Sequence, residues 1–254
     1  MIKLASWNVN SLKVRLDQVL EWMQSSQTDI LALQETKLTD ENFPITAFEG
    51  YHVVYTGQKT YNGVAIVSRY PLTDLVMEID NFDNEQRRFI AVTVAGFRLI
   101  NLYVPNGSDL TSDKYPYKLN WLQNITTYIA QELQTHPKLA VVGDFNIAPE
   151  DMDVHDPLLW QGSVLVSPPE REAFAALLAL GLQDSFRNVH PEDKVYSWWD
   201  YRQAAFRRNM GLRIDHVLLS EPLSSLCVHS GIDKEPRKSE RPSDHAPVWV
   251  ELDL

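Results

Sequence analysis

Lys138-Leu139-Ala140-Val141-Val142-Gly143-Asp144-Phe145-Asn146 is an apolar run closed by a glycine and two Asx residues. A run this short reads as a buried strand whose C-terminal end opens into solvent. With period-2 alternation Asp144 and Asn146 face the same way, so a carboxylate and a carboxamide converge where the strand gives out. Asp and Asn also start turns routinely, and this stretch alone leaves both readings open.

The rest of the chain repeats the pattern. Ile2 to Trp7 runs into Asn8 and Asn10, Asp29 to Gln34 into Glu35, Arg98 to Leu102 into Tyr103 and Asn106, and Leu212-Arg213-Ile214 into Asp215. Ser243-Asp244-His245 stands just before the run Ala246 to Glu251, so one more strand contributes from its N-terminal side. Scattered turn residues do not follow such a rule, whereas a catalytic rim built from strand ends and the loops beyond them does.

With 254 residues and 44% apolar content, the chain can bury the core of one large α/β domain, residues 1–254. No apolar run is long enough to span a membrane, and Met1-Ile2-Lys3-Leu4 leads straight into the first strand. A soluble, unsecreted, cytoplasmic monomer is expected. The one cysteine, Cys227, excludes an internal disulfide and a cysteine-built zinc cage, and in Leu226-Cys227-Val228 it reads as a buried strand residue. The net charge of −11 argues against a polyanionic partner, but net charge hides local pattern. Basic residues gather at Arg87-Arg88, at Arg207-Arg208 with Arg213, and at Lys234, Arg237, Lys238 and Arg241, while acids crowd Met77 to Glu85 and Glu150 to Asp156. Either a basic face on an acidic body or a solvated mixed surface follows.

Leu16, Val19, Leu20 and Met23 recur at helical spacing, so the chain starts strand, helix, strand. Tyr51 to Tyr55, Gly63 to Val67, Phe89 to Val94 and Phe97 to Tyr103 are short runs joined by turns, as in antiparallel sheets. Trp121, Leu122, Ile125, Tyr128, Ile129 and Leu133 mark a long amphipathic helix whose aromatics are core. Ser167-Pro168-Pro169-Glu170 is spaced as a capping box before a helix with Phe174, Leu177 and Leu178 on its inner face, ended by Gly181. Tyr196 to Met210 is a loop holding Trp198, Trp199, Tyr201, Phe206, Arg207 and Arg208. No linker or repeat divides the chain, and two similar halves stacked sheet on sheet with helices outside make one domain.

The rim offers Glu35, Asp144, Asp244 and Asp215 as carboxylates, Asn8, Asn106 and Asn146 as amides, and His245 and Tyr103 as proton-active groups. An oxygen-rich, thiolate-free set selects a hard divalent cation such as Mg²⁺. An Asp can orient the His and raise its affinity for a proton. Hydrolysis of a phosphate ester needs such a cation, a base for water and donors for a developing oxyanion.

Trp7-Asn8-Val9-Asn10-Ser11, Leu33-Gln34-Glu35-Thr36-Lys37, Gly63-Val64-Ala65, Gln86-Arg87-Arg88, Tyr103-Val104-Pro105-Asn106-Gly107, Gly143-Asp144-Phe145-Asn146-Ile147, Gly211-Leu212-Arg213-Ile214-Asp215 and Pro242-Ser243-Asp244-His245-Ala246-Pro247 stand in this order. In these segments the chain resembles the exonuclease III family of the exonuclease, endonuclease and phosphatase superfamily. The resemblance implies a four-layer α/β sandwich, two mixed β-sheets packed face to face with helices on both outer sides, acting on double-stranded DNA with Mg²⁺ or Mn²⁺. It makes Glu35 the main metal ligand, with Asn8, Asp244, Asp144, Asn146 and His245 in or around the metal shell. Asp144 would activate water beside Asn146, His245 supported by Asp215 would bind the scissile phosphate, and Tyr103 and Asn106 would complete the oxyanion side. Arg87, Arg88, Asn106 and Arg207 would contact DNA, and Trp198, Leu212 and Ile214 would wall a pocket for a deoxyribose without its base. Such enzymes cut beside abasic sites, remove 3′ nucleotides and clear 3′ phosphates. This chain departs from the family pattern between Asp151 and Ser167, where a short loop carries Val164-Leu165-Val166. The departure leaves open an enzyme that is mainly a 3′-5′ exonuclease and 3′-phosphatase. A lipid or inositol phosphatase would share the metal centre, and a non-catalytic DNA-binding protein would have lost one of Glu35, Asp144 or His245.

Overall fold

Aliphatic runs too short for helices become strands, and the computed structural model, which describes residues 1–80, 82 and 84–254, sets them in two sheets. Asp83, in the acidic stretch Met77 to Glu85, lies outside the described residues. The order is β1 (Ile2–Asn8), α1 (Leu12–Ser25), β2 (Ile30–Gln34), β3 (His52–Thr56), β4 (Val64–Ser68), β5 (Leu72–Val76), β6 (Phe89–Val94) and β7 (Phe97–Tyr103). It continues α2 (Lys114–Thr135), β8 (Leu139–Asp144), α3 (Pro157–Trp160), α4 (Pro168–Leu178), β9 (Leu182–Asp184), α5 (Ser185–Val189) and β10 (Trp198–Trp199). The last elements are β11 (Gly211–Leu212), β12 (Asp215–Ser220), α6 (Glu221–Ser224), β13 (Cys227–Ile232) and β14 (Val248–Leu252).

One six-stranded sheet runs β13-β14-β1-β2-β4-β3 and the other β5-β6-β7-β8-β12-β9. In each, the middle pair is parallel, β1 with β2 and β7 with β8, and its neighbours are antiparallel. A parallel pair needs a crossover, which α1 and α2 supply. Alternate strand residues serve two cores. Leu4, Ile30, Ile66, Leu99, Val142, Val217 and Val250 pack between the sheets. Ala5, Leu31 and Val67 turn outward onto Val19, Trp22 and Met23 of α1. Ile100, Val141 and Leu218 turn outward onto Trp121, Leu122 and Ile125 of α2 and Phe174 and Leu177 of α4. The result is the four-layer α/β sandwich. Gly143 is required by the close approach of β7 and β8, because a Cβ there would lie 1.9 Å from the Leu102 carbonyl oxygen.

The expected capping box closes the start of α4 through Ser167 and Glu170, although the helix stops before Gly181. Two expectations are corrected. Asp215 opens β12 instead of closing a strand, because the chain bends after the two-residue β11. Cys227 is only half-buried, since it begins β13 at the edge of its sheet. The short strands β5, β9, β10 and β13 have too few alternating apolar residues to be read from pattern. Among the described residues no helix is long and apolar enough to cross a membrane.

The inter-sheet core is mainly apolar, and polar side chains link the two sheets across it. Asn101 on β7 reaches across and donates through Nδ2 to the carbonyls of Leu33 on β2 and Ala65 on β4, both at 3.0 Å. Gln34 Nε2 donates back to Asn101 Oδ1 at 2.8 Å and to Ser6 Oγ at 3.0 Å. All three side chains are buried, so these bonds replace water. Asn101→Leu should therefore destabilise the fold by about 2–4 kcal/mol, the cost of stranding several buried partners. Urea unfolding measures it, and a loss below about 1 kcal/mol would mean that the sheets align without this link.

Candidate active site

Strand direction collects the site. The C-terminal ends of β1, β2, β7 and β8 and the N-terminal ends of their antiparallel neighbours β12 and β14 all reach the same edge of the sandwich. Asn8 ends β1, Glu35 follows β2, Tyr103 ends β7 and Asp144 ends β8. Asp215 begins β12, directly opposite Asp144 in register, and His245 precedes β14. The Asp144-Asn146 pair is both a turn and a site. Asn146 has left the strand at φ 50°, and its backbone N–H donates to Asp144 Oδ1 at 2.9 Å. Glu35 at φ 51° and Asn10 at φ 44° also hold left-handed backbones, a strain tolerated where function needs a fixed side chain.

Glu35, Asp144 and His245 each offer a ligand atom within 4.8 Å of the others. Asn8 Nδ2 bridges the carboxylates, donating to Glu35 Oε1 at 3.0 Å and Asp144 Oδ2 at 2.9 Å. The Lys37 ammonium lies 2.9 Å from Glu35 Oε2. Burial resists ionisation of Glu35, but Lys37 and the Asn8 hydrogen bond outweigh it and hold the carboxyl below its usual range. Burial pushes the Asp144 carboxyl up to about 7, with the pull of His245 opposing it and the charge of Asp215 adding to it. His245 Nδ1 lies 2.9 Å from Asp215 Oδ2, and its Nε2 lies 3.8 Å from Asp144 Oδ2. Burial disfavours the imidazolium, yet Asp215 and Asp144 together raise His245 to about 10. The centre at neutral pH thus pairs a protonated ring with a carboxylate poised to take a proton. Tyr103 hydrogen-bonds Glu35, and burial, Glu35 and Asp144 hold its phenol well above the usual range, so it stays a donor.

The donor set of Glu35, Asp144 and His245 is oxygen-rich with one imidazole, which fits a hard divalent cation. The other expected ligands are placed differently. Asn8 turns its nitrogen to the carboxylates because Oδ1 accepts from the Asn10 N–H. Asn146 Oδ1 accepts from Asn106 Nδ2 at 3.0 Å. Asp244 has both oxygens engaged, by Asn10 Nδ2 and by Trp198 Nε1, each at 3.0 Å.

Several basic residues expected on a DNA face are interior. Arg213 is buried between Asp153 and Asp184, at 2.7 and 2.8 Å, and Arg237 lies against Trp199, Tyr201 and Phe206. Arg88 stacks on the Tyr103 ring at 4.5 Å, Arg87 pairs with Glu78, and Arg207 is exposed. Leu212 and Ile214, expected as a pocket wall, are 0% and 1% exposed, covered within a cluster that includes Ala148, Val154, Leu165 and Val166. Trp199 is core and Trp198 is half-buried.

Lysines that the sequence reading missed line clefts near the centre, together with Arg88, which it named. Lys13, Lys37 and Lys59 line a cleft of about 540 Å³ beside Glu35. Arg88 and Lys114 line another of about 380 Å³ beside Tyr103 and Asn106. These lysines are far apart in sequence and form no run. Ser197 was missed for the same reason: its buried Oγ donates to Asp215 Oδ2 at 2.6 Å and accepts from the backbone N–H of Asp215.

Residues 5–245 match the Endonuclease/Exonuclease/phosphatase family. The chain belongs to that family. The exodeoxyribonuclease III of Haemophilus influenzae is 37% identical over 267 residues, covering 99% of this chain and 100% of the relative. A 3′ phosphatase from Neisseria, solved bound to a product DNA hairpin, is 48% identical over 100% of both chains with a TM-score of 0.98. An AP endonuclease from Archaeoglobus fulgidus is 38% identical over 100% of both chains with a TM-score of 0.97.

Among the carboxylates around His245, Asp215 lies nearest, 2.9 Å from Nδ1, and pulls hardest toward the charged ring. Asp215→Asn removes an adjacent negative charge, so the His245 pKa should fall by roughly 1–3 units. NMR titration of the ring in metal-free protein reads it directly. A value that stays at about 10 would show that Asp215 does not set the protonation of His245.

Proposed function

We propose that the chain is a metal-dependent DNA repair nuclease working at 3′ ends of duplex DNA, as a 3′-phosphatase and 3′-5′ exonuclease, with abasic-site cleavage the weaker activity. The convergence of Glu35, Asp144 and His245 carries the hydrolytic reading. Mg²⁺, with Mn²⁺ as a substitute, would be held by Glu35 and Asp144, with Asn8, Asn146 and Asp244 around them. A cation there supplies charge stabilisation to the phosphate oxygens. Asp144, its proton affinity matched to neutral pH, takes the proton of the attacking water. His245, held by Asp215, presents a charged N–H to a phosphate oxygen, and the Tyr103 phenol and Asn106 amide add donors for developing negative charge.

DNA as substrate is supported by the hairpin-bound Neisseria relative and by the clefts near Glu35 and Tyr103 that Lys13, Lys37, Lys59, Arg88 and Lys114 line. They supply local positive potential in a chain of net charge −11. The site draws every group from one chain and from both sheets, which supports a single catalytic domain over residues 1–254 acting as a monomer. A half-buried free thiol, Cys227, suits the reducing cytoplasm.

The covered wall favours 3′-end chemistry. A deoxyribose without its base needs reachable apolar surface, and Leu212 and Ile214 offer none. Leu165, on the loop that departs from the family pattern, packs over them from a left-handed backbone at φ 77°. The likeness to the Archaeoglobus AP endonuclease favours the rival reading, an abasic-site endonuclease.

Three matched duplexes separate the readings: an internal abasic site, a recessed 3′ end and a 3′ phosphate, each with Mg²⁺ and with chelator. The 3′ phosphate and recessed end should be processed at least about tenfold faster than the abasic site, and chelator should abolish all three activities. Asp144→Asn should lower turnover by roughly 10²- to 10⁴-fold with DNA binding retained, and Glu35→Ala should blunt the Mg²⁺ response. Leu165→Gly, which suits the backbone and uncovers the wall, should raise abasic incision selectively. Equal rates on all three duplexes before that substitution would overturn the assignment to 3′ ends.

A further inference from the structure

Lys118 places a charge on the buried face of α2, among Trp121, Leu122 and Ile125. Its side chain and that of its ion-pair partner Glu170 are both 0% exposed. An ammonium has three donors. One serves Glu170 Oε1, one the Asn146 carbonyl at 2.6 Å, and one the Asn106 carbonyl at 3.1 Å. Glu170 is held in turn by the Leu165 N–H at 3.0 Å and by the N–H and hydroxyl of Ser167. Gly107 permits the approach, because a Cβ there would stand 3.2 Å from Lys118 Cδ.

A buried ion pair is a weak device for stability, since desolvation offsets its attraction. The position of this pair gives it another use. Its two carbonyl partners belong to different loops, one after β7 and one after β8, and both loops end on a single nitrogen. The side chains of the same residues are linked, Asn106 Nδ2 donating to Asn146 Oδ1 at 3.0 Å. Asn146 also donates from Nδ2 to the Val104 carbonyl at 2.9 Å and to Asp144 Oδ2 at 3.3 Å. A chain of hydrogen bonds thus runs from the base of α2 to the carboxylate assigned as the base for water.

We propose that Lys118, its charge held by Glu170, is a positioning residue for hydrolysis: it ties the Asn106 and Asn146 loops together so that Asp144 keeps its orientation toward the attacking water. The inference rests on the reading of this centre as a phosphate-ester hydrolase. Lys118 touches no substrate and acts through the two asparagines.

The double variant Lys118→Met with Glu170→Gln removes both charges at similar volume and keeps an acceptor for the cap of α4. It should still fold cooperatively, melting roughly 5–15 °C lower, because no charge is left unpaired but the Asn106 and Asn146 carbonyls lose their donor. With Mg²⁺ and a 3′-phosphate duplex, kcat should fall by about tenfold or more while KM stays within about threefold. Asn106→Ala should then cost less in this background than in the unaltered protein, since groups acting as a unit are not additive. A smaller fall in kcat, a loss carried by KM, an equal cost of Asn106→Ala in both backgrounds, or a double variant that fails to fold would each overturn the proposal. If the unaltered protein shows no metal-dependent activity on this duplex, the hydrolase reading fails and this inference falls with it.

Discussion

The centre depends on the alignment of two sheets. Asn8, Glu35, Asp244 and His245 come with the sheet built around β1 and β2, and Tyr103, Asp144, Asn146 and Asp215 with the sheet built around β7 and β8. Apolar packing holds the layers together but is non-directional, so it does not by itself set how far one sheet slides over the other. Directional bonds do. Asn101 and Gln34 cross the interface beneath the site, while Asn8 to Asp144 and His245 to Asp215 cross it within the site. Gln34 is the residue before Glu35, so the crossing that sets the layers also fixes where the main carboxylate of the first sheet points.

That alignment gathers negative charge, and the surroundings answer it group by group. Glu35 has Lys37, Asp215 has His245, and Asp244 has the donors of Asn10 and Trp198. Asp144 is the carboxylate left with amides and a histidine 3.8 Å away, and it is the one whose proton affinity burial raises to about 7. The ordering is chemical. Glu35, with the Lys37 ammonium beside it, is held below its usual range, and Asp144, assigned to exchange a proton, has no such partner.

How much of this was legible in the sequence follows from how each residue is specified. Glu35, Asp144 and Asn8 could be read because a local pattern, an apolar run stopping at a polar group, encodes their place. Asp215 was read as a site residue from the same pattern but with the wrong end of a strand, since a two-residue strand carries too little periodicity to show the bend before it. Lys118, Ser197 and Asn101 were silent because their partners lie far along the chain and no local signal distinguishes a buried lysine from a surface one. Arg213 and Arg237 were misread for the converse reason: composition counts a guanidinium as surface charge, and only the fold supplies the acids and rings that bury it.

Substrate choice lies outside the part that was easiest to read. The groups assigned to hydrolysis sit on or beside strand ends, whereas the wall over Leu212 and Ile214 is closed by a loop held by apolar packing and by hydrogen bonds linking Leu165 to Glu170 and Ala148. Trp198 belongs to both. Its ring edge meets Trp160 at 6.3 Å on the side of a cleft of about 390 Å³, and its N–H is committed to Asp244. The loop and the centre therefore share one indole, packed against Trp160 on one side and hydrogen-bonded to Asp244 on the other.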